Sequence, residues 1–157
     1  MNTDYIISSS RKKETPDAQQ LKRYLLETID PSFAASVQPH DLLVAGTNFG
    51  CGSAMEIAVS VLLASGIKAV LARCFARTFY RNAINNGLVP VECETRGIHE
   101  GDRLIVSLDE GAVIVTNETR GNELAGSPFP AIILDLVTAG GLVQYFKIHH
   151  NFVASPQ

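Results

Sequence analysis

Apolar and polar residues alternate in blocks through the middle of the chain, and each block has the length of a strand or a helix. The apolar run 42–45 predicts a buried strand, and the glycine-rich segment after it leads into a helix that ends near Ala64. Residues 68–72 predict a second strand of this unit, 75–85 a helix and 88–91 a further strand. This alternation predicts parallel strands joined by helical crossovers, as in an α/β fold.

The segment before this unit is more polar. Residues 5–7 predict a short strand, and 8–15 a polar loop. Apolar positions in 16–29 fall on one face of a helix, which Asp30 and Pro31 end because the residue before a proline resists helical geometry.

After the central unit the period changes to that of antiparallel strands. Residues 103–108 and 112–116 predict a hairpin. A helix is expected over 130–139, ending at two glycines, and 142–146 packs after it. The sequence shows no internal repeat and no linker, so residues 1–157 are expected to form a single domain.

The junction between the strand at 42–45 and the next helix carries the main candidate chemistry. Gly46, Gly50 and Gly52 allow the backbone to turn sharply and to approach a ligand closely. Ser53 lies among the first amides of the helix, whose N–H groups could stabilise an alkoxide. From the residues alone two interpretations stay open, a proton-abstracting serine and a helix N-cap.

Composition narrows the classes of function. The chain is 46% apolar and 18% charged with a net charge of −3 and no basic cluster, which argues against a nucleic-acid partner. No apolar run is long enough to cross a bilayer, and the first residues have no signal-peptide pattern. The three cysteines, Cys51, Cys74 and Cys93, have no metal-ligand spacing and suit a reducing cytosol, so a cytoplasmic protein without a metal site is expected.

Several separated motifs resemble one family. The turn Asn48-Phe49-Gly50-Cys51-Gly52-Ser53 is similar to the active-site turn of the 3-isopropylmalate dehydratase small subunit, which corresponds to the swivelling C-terminal domain of aconitase. The likeness continues in residues 2–7, 25–33 and 72–88, in the family's order. It implies a three-layer β/β/α swivelling domain. Relatives usually have a further strand before Asn2, which this sequence lacks, so an edge strand is expected to be missing or the chain to start later.

The resemblance also implies a chemistry. In this family a large subunit holds a [4Fe–4S] cluster, and the small subunit closes over it and binds no cofactor itself. Ser53 corresponds to the base that removes a proton from the substrate, and Asp4 to an acidic residue of the active site, with Thr3 beside it. Arg11 lies in the loop that distinguishes substrates and could bind a carboxylate. The substrate is also expected to contact the turn residues Asn48, Gly52 and Ala54.

The sequence departs from the family's pattern just after the turn. Where relatives have serine, arginine and histidine, this chain has Ala54, Met55 and Ile57. The arginine and the second serine normally bind a substrate carboxylate, so the substrate differs, another arginine substitutes, or the chain is not catalytic. Three other arginines recur at four-residue steps and are interpreted as a solvated helix face, with contact of one of them to the partner subunit as the alternative: Arg73, Arg77 and Arg81.

We therefore expect the small subunit of a hydro-lyase that acts on a malate-type hydroxy acid together with a cluster-bearing large subunit. The alternative is a non-catalytic interaction or regulatory subunit that has kept the fold. Whether the isolated chain forms a homo-oligomer is left open.

Overall fold

A computed structural model describes residues 1–53 and 56–150. Its helices, in chain order, are α1 (Thr3–Ile6), α2 (Ser9–Glu14), α3 (Ala18–Leu21), α4 (Phe33–Ser36), α5 (Glu56–Ala64), α6 (Arg77–Asn86), α7 (Ala131–Thr138) and α8 (Leu142–His149). Its strands are β1 (Leu43–Val44), β2 (Ala69–Ala72), β3 (Val89–Glu92), β4 (Leu104–Asp109), β5 (Ala112–Asn117) and β6 (Asn122–Gly126).

The central α/β unit is confirmed. Strands β1, β2 and β3 form a parallel sheet in that order, with Leu43 opposite Val70 and Val70 opposite Pro90. Helices α5 and α6 make the crossovers between successive strands. Gly87 ends α6 in the left-handed region at φ 79°, where its N–H donates to carbonyls of the last turn.

The predicted hairpin is also present as β4 and β5, but it belongs to a three-stranded antiparallel sheet. Strand β6 pairs with β5, with Thr116 opposite Glu123 and Val115 opposite Leu124. The sequence did not predict β6 because its side chains are mostly half-buried or exposed, with Leu124 its one large apolar residue. Its place in the sheet comes from the neighbouring strand rather than from its own pattern.

The two sheets and the helices form three layers. Leu71 and Val91 of the parallel sheet pack with Val113 and Val115 of the antiparallel sheet. The opposite face of the parallel sheet is covered by helices in the largest cluster, which includes Ile6, Leu21, Phe49, Val59, Leu62 and Phe79. This order of antiparallel sheet, parallel sheet and helices is the β/β/α arrangement that the resemblance implied.

The secondary-structure predictions for residues 5–15 were wrong. Residues 5–7 are not a strand, because Asn2 caps helix α1 by accepting the N–H of Asp4 at 3.0 Å. Residues 8–15 are not a loop, because Ser8 caps α2 and accepts the N–H of Arg11 at 3.4 Å. Helix α2 is further supported by the ion pair between Arg11 and Glu14, one turn apart.

Two other predicted elements differ in extent. The helix expected over 16–29 consists of α3 and a 3-10 turn that ends at Tyr24. It stops there because Leu25 leaves helical geometry and Leu26 takes φ 57°, and both side chains are buried in the core. The segment 142–146 begins a regular helix, α8, whose Tyr145 is fully enclosed.

In the described ranges, no single helix has the length and apolarity to cross a bilayer. Helices α7 and α8 reach the required length and composition only as a pair, and the chain bends by 92° between them.

Candidate functional site

The glycine turn leaves the carboxyl-terminal edge of the parallel sheet, between β1 and α5. Gly50 and Gly52 adopt φ of +76° and +98°, which favour glycine. A Cβ on Gly50 would lie 2.2 Å from Cγ of Phe79, and one on Gly52 would lie 2.3 Å from Oδ1 of Asn2. Both glycines are therefore required by backbone conformation and by close packing.

Aromatic side chains pack the turn against the segment between β2 and α6. The ring of Phe49 makes edge-to-face contacts with Phe75 and Phe79, with centroids 5.9 and 5.0 Å apart. The backbone is fixed on both sides of this ring, because Phe49 donates to the carbonyl of Cys74 at 3.0 Å and accepts from Ala76 at 2.8 Å. The turn is thus joined to the segment between β2 and α6.

The first residues of the chain bind the other side of the turn. The N–H groups of Gly50 and Cys51 donate to the carbonyl of Met1 at 2.8 and 3.2 Å. Thr3 donates its backbone N–H to the carbonyl of Cys51 at 2.8 Å and its hydroxyl to the carbonyl of Ser53 at 3.0 Å. The predicted site residues Thr3 and Ser53 are therefore in direct contact, and Thr3 is buried.

Ser53 is exposed at the end of this hydrogen-bonded turn. Its hydroxyl forms no hydrogen bond to any residue of the described part of the chain. Helix α5 begins at Glu56, three positions further on. Ala54, predicted to bind substrate, and the substituted position Met55 lie outside the described residues. The geometry presents the Ser53 side chain to solvent while its backbone is held by Thr3.

Asp4 follows Thr3 directly and is half-buried. Its carboxylate accepts a short hydrogen bond of 2.6 Å from the hydroxyl of Ser9, the first residue of α2. Helix α1 therefore brings an acidic group next to the residue that contacts the serine turn. The catalytic role of Asp4 stays a prediction.

Asn48 and Gly52 lie within the turn as expected. Asn48 has φ 54° and an exposed side chain, and its N–H donates to Sγ of Cys74 at 3.2 Å. Gly52 is exposed above the Asn2 side chain. Both surfaces are open to a ligand, and their contact with substrate stays a prediction.

Arg11 is engaged within the chain. Its guanidinium donates to both carboxylate oxygens of Glu27 at 3.0 and 3.2 Å and to Glu14 at 3.0 Å. It also lies 3.9 Å from the centroid of the Tyr24 ring. Glu27 and then Glu14 raise the pKa of Arg11 further above its usual range. A substrate carboxylate would have to replace one of these partners, so the role of Arg11 in binding substrate stays a prediction.

The three cysteines occupy different surroundings. Cys51 donates to the carbonyl of Met1 at 3.4 Å, and Cys74 accepts from Asn48. Cys93 is buried between the two sheets, where burial and then Glu94 raise the pKa of its thiol. Within residues 1–53 and 56–150, no three metal-ligating side chains come close enough together to hold an ion.

Two features of the site were missed in the sequence. Asn2 caps α1, and its side chain occupies the space that a Cβ on Gly52 would need. The sequence could have indicated the cap, because asparagine is a preferred N-cap residue. Arg73 does not lie on a solvated helix face, because it precedes α6 and its Nε is buried. No sequence signal distinguishes it from the exposed Arg77 and Arg81.

Comparison with known proteins gives one consistent result. The family described as the aconitase C-terminal domain matches residues 5–96. A 3-isopropylmalate dehydratase small subunit of Caldicellulosiruptor bescii is 45% identical, over 94% of this chain and 88% of its own. The 3-isopropylmalate dehydratase small subunit 2 of Archaeoglobus fulgidus is 40% identical, over 95% of this chain and 89% of its own.

A solved structure agrees with these relatives. The crystal structure of 3-isopropylmalate dehydratase from Methanocaldococcus jannaschii superposes with a TM-score of 0.87 at 38% identity. The match covers 95% of this chain and 87% of that one, which confirms the expected fold class. The chain therefore belongs to the aconitase C-terminal domain family and, within it, to the small subunits of hydro-lyases of the 3-isopropylmalate dehydratase type.

Proposed function

We propose that this chain completes the active site of a two-subunit hydro-lyase, with Ser53 as the base that removes a proton from a malate-type hydroxy acid. The observation that carries the proposal is an exposed serine on a turn whose backbone is fixed from two sides, by Thr3 and by the segment after β2. The relatives are named as dehydratase small subunits, which supports this reading over a non-catalytic one.

The iron–sulfur cluster belongs to the large subunit in this proposal. The cysteines of this chain do not fit such a group. Cys93 is buried between the two sheets, the Cys51 thiol donates to the carbonyl of Met1, and Cys74, in the segment after β2, accepts from the N–H of Asn48. The cluster on the partner supplies a Lewis acid for the departing hydroxyl of the substrate.

The residues of this chain act on the proton. Ser53 accepts the proton from the carbon next to the one that loses its hydroxyl. Serine is a weak base, so its alkoxide requires N–H donors and positive charge that are already oriented around it. Thr3 holds the Ser53 carbonyl and thereby restrains the backbone from which the side chain projects. Asp4 and the open faces of Asn48 and Gly52 border the substrate.

The test is reconstitution with the large subunit from the same organism and assay of Ser53→Ala on a panel of malate derivatives that includes 3-isopropylmalate. Removal of the base should lower kcat by about 10²- to 10⁴-fold. The complex should still assemble, as measured by size-exclusion chromatography, because Thr3 contacts only the backbone of Ser53. Ser107→Ala, an exposed serine on β4, is the matched control and should retain full activity.

Turnover by Ser53→Ala within a few-fold of wild type would exclude a role as base. Absence of turnover by the wild-type complex across the whole panel would favour the non-catalytic alternative.

A further inference from the structure

Arg73 has a guanidinium that is partly buried and, within the described part of the chain, lacks a hydrogen-bond partner at Nε. The residue follows β2 directly, and its backbone N–H donates to the carbonyl of Gly46 at 3.2 Å. Its Nη2 lies 3.6 Å from the position that a Cβ on Gly46 would occupy, so the side chain lies against the first residue of the glycine turn. Its Nε is buried and has no hydrogen-bond partner among the described residues.

Several arginines of the chain have carboxylate partners, whereas Arg77 and Arg81 are exposed to solvent and have no buried donor to satisfy. Arg11 binds Glu27, Arg103 binds Glu118 at 2.8 Å, and Arg120 binds Asp102 at 2.7 Å. Arg73 forms no ion pair within the described part of the chain. A guanidinium remains charged at all ordinary pH values, and a buried donor without an acceptor is unfavourable. An anion bound beside Gly46 would remove this cost.

The acidic residue closest to Arg73 in the sheet register does not serve this purpose. Glu92 is the strand partner of Ala72, the residue before Arg73. Its carboxylate accepts the N–H of Phe75 at 3.2 Å, which holds it toward the start of α6. The guanidinium is thus left available at the edge of the sheet.

Position supports a ligand from outside the chain. Parallel sheets bind ligands beyond the carboxyl ends of their strands, and both Arg73 and the glycine turn lie at that edge. Building on the proposed function, we propose that Arg73 binds a carboxylate of the hydroxy-acid substrate and thereby contributes to substrate specificity. Its planar guanidinium can hold a carboxylate through two parallel hydrogen bonds.

The kinetic test uses Arg73→Met and Arg73→Lys in the complex with the large subunit. Loss of a hydrogen bond to a charged group should lower kcat/KM by roughly 10- to 150-fold in Arg73→Met, mainly through KM. Arg73→Lys should recover part of this loss, because it keeps the charge. Arg103→Met is the matched control and should stay within two-fold, since the Arg103 side chain is 80% exposed and pairs on the surface.

A second measurement separates binding from a structural effect. Wild type should discriminate against a substrate analogue in which one carboxylate is replaced by a carboxamide, and Arg73→Met should lose this discrimination. Equal loss on the acid and on the carboxamide would overturn the proposal. Unaltered kcat/KM in Arg73→Met, with Ser53→Ala inactive, would overturn it while the proposed function stands.

Two further outcomes are decisive. If Arg73→Met prevents assembly of the two subunits, the guanidinium pairs with the large subunit and the proposal is wrong. If the complex turns over no compound of the panel, calorimetric titration with the same malate derivatives replaces the kinetics. Binding that is absent, or that is unchanged in Arg73→Met, would then overturn the proposal.

Discussion

Replacement of Gly50 by alanine tests how closely the serine turn depends on packing. The new Cβ would lie 2.2 Å from Cγ and 2.4 Å from Cβ of Phe79, and φ is +76°. A non-glycine residue in this backbone region costs about 1–2 kcal/mol. Overpacking of a buried site adds about 1–3 kcal/mol. The clash involves Cβ and Cγ of Phe79, which cannot be relieved by rotation of the ring alone. We expect a loss of about 2–5 kcal/mol in the free energy of unfolding.

Gly121 offers a matched control for the conformational cost of placing alanine at a positive φ. Gly121 has φ +68° and nothing within 4 Å of the position of a Cβ, so Gly121→Ala carries conformational cost alone. In a domain of this size 1 kcal/mol corresponds to about 2–4 °C in Tm, which predicts a loss of roughly 4–20 °C for Gly50→Ala and 2–8 °C for Gly121→Ala. Urea and thermal unfolding of the isolated small subunit would measure both. Equal destabilisation by the two variants would refute the packing argument.

Two other predictions follow from the hydrogen bonds of the fold. Thr3→Val removes the hydroxyl that holds the carbonyl of Ser53. We expect the free energy of unfolding, measured in urea, to fall by about 0.5–1.5 kcal/mol and kcat to be lower. An unchanged kcat would contradict the role of Thr3 in positioning Ser53. Arg120, then Asn117 and the N–H of His99, hold the pKa of the nearly enclosed Asp102 well below its usual range. The stability from this carboxylate is therefore present above its unfolded pKa of about 3.9 and is lost as the pH falls below it. Asp102→Asn should be less stable than wild type at pH 7, with a difference that shrinks below about pH 4; a difference independent of pH would be contrary to this.

The parts of the fold that the sequence predicted correctly are those in which local signals and tertiary packing agree. From Leu43 to Glu92, apolar runs of strand length are separated by helices with glycine stops, and the structure follows them. The first residues differ because Ile6 and Ile7 form an apolar pair that is buried equally well by a helix. The cap supplied by Asn2 and the contact with Cys51 decide the outcome, and the second of these is not local.

For the candidate site, the motif indicated which residues come together but not the partners of their side chains. The motif located Ser53, Thr3 and Asp4, and the structure brings Thr3 into contact with the backbone of Ser53. The state of Arg73 could not be predicted, since a missing partner is a property of the three-dimensional arrangement. The pairing of Arg11 with Glu27, sixteen positions away, was equally beyond any local pattern.

The attachment of residues 1–3 to the serine turn has a consequence for folding and for local opening. Thr3 and Ser53 are fifty positions apart, whereas β4, β5 and β6 pair with their immediate neighbours in sequence. Local pairs form before distant ones because they close shorter loops, so we expect the antiparallel sheet to form early and the serine turn late. Detachment of the first residues alone would release the carbonyl of Ser53 while both sheets stay folded. The geometry around Ser53 can therefore be lost by a local opening far less costly than global unfolding.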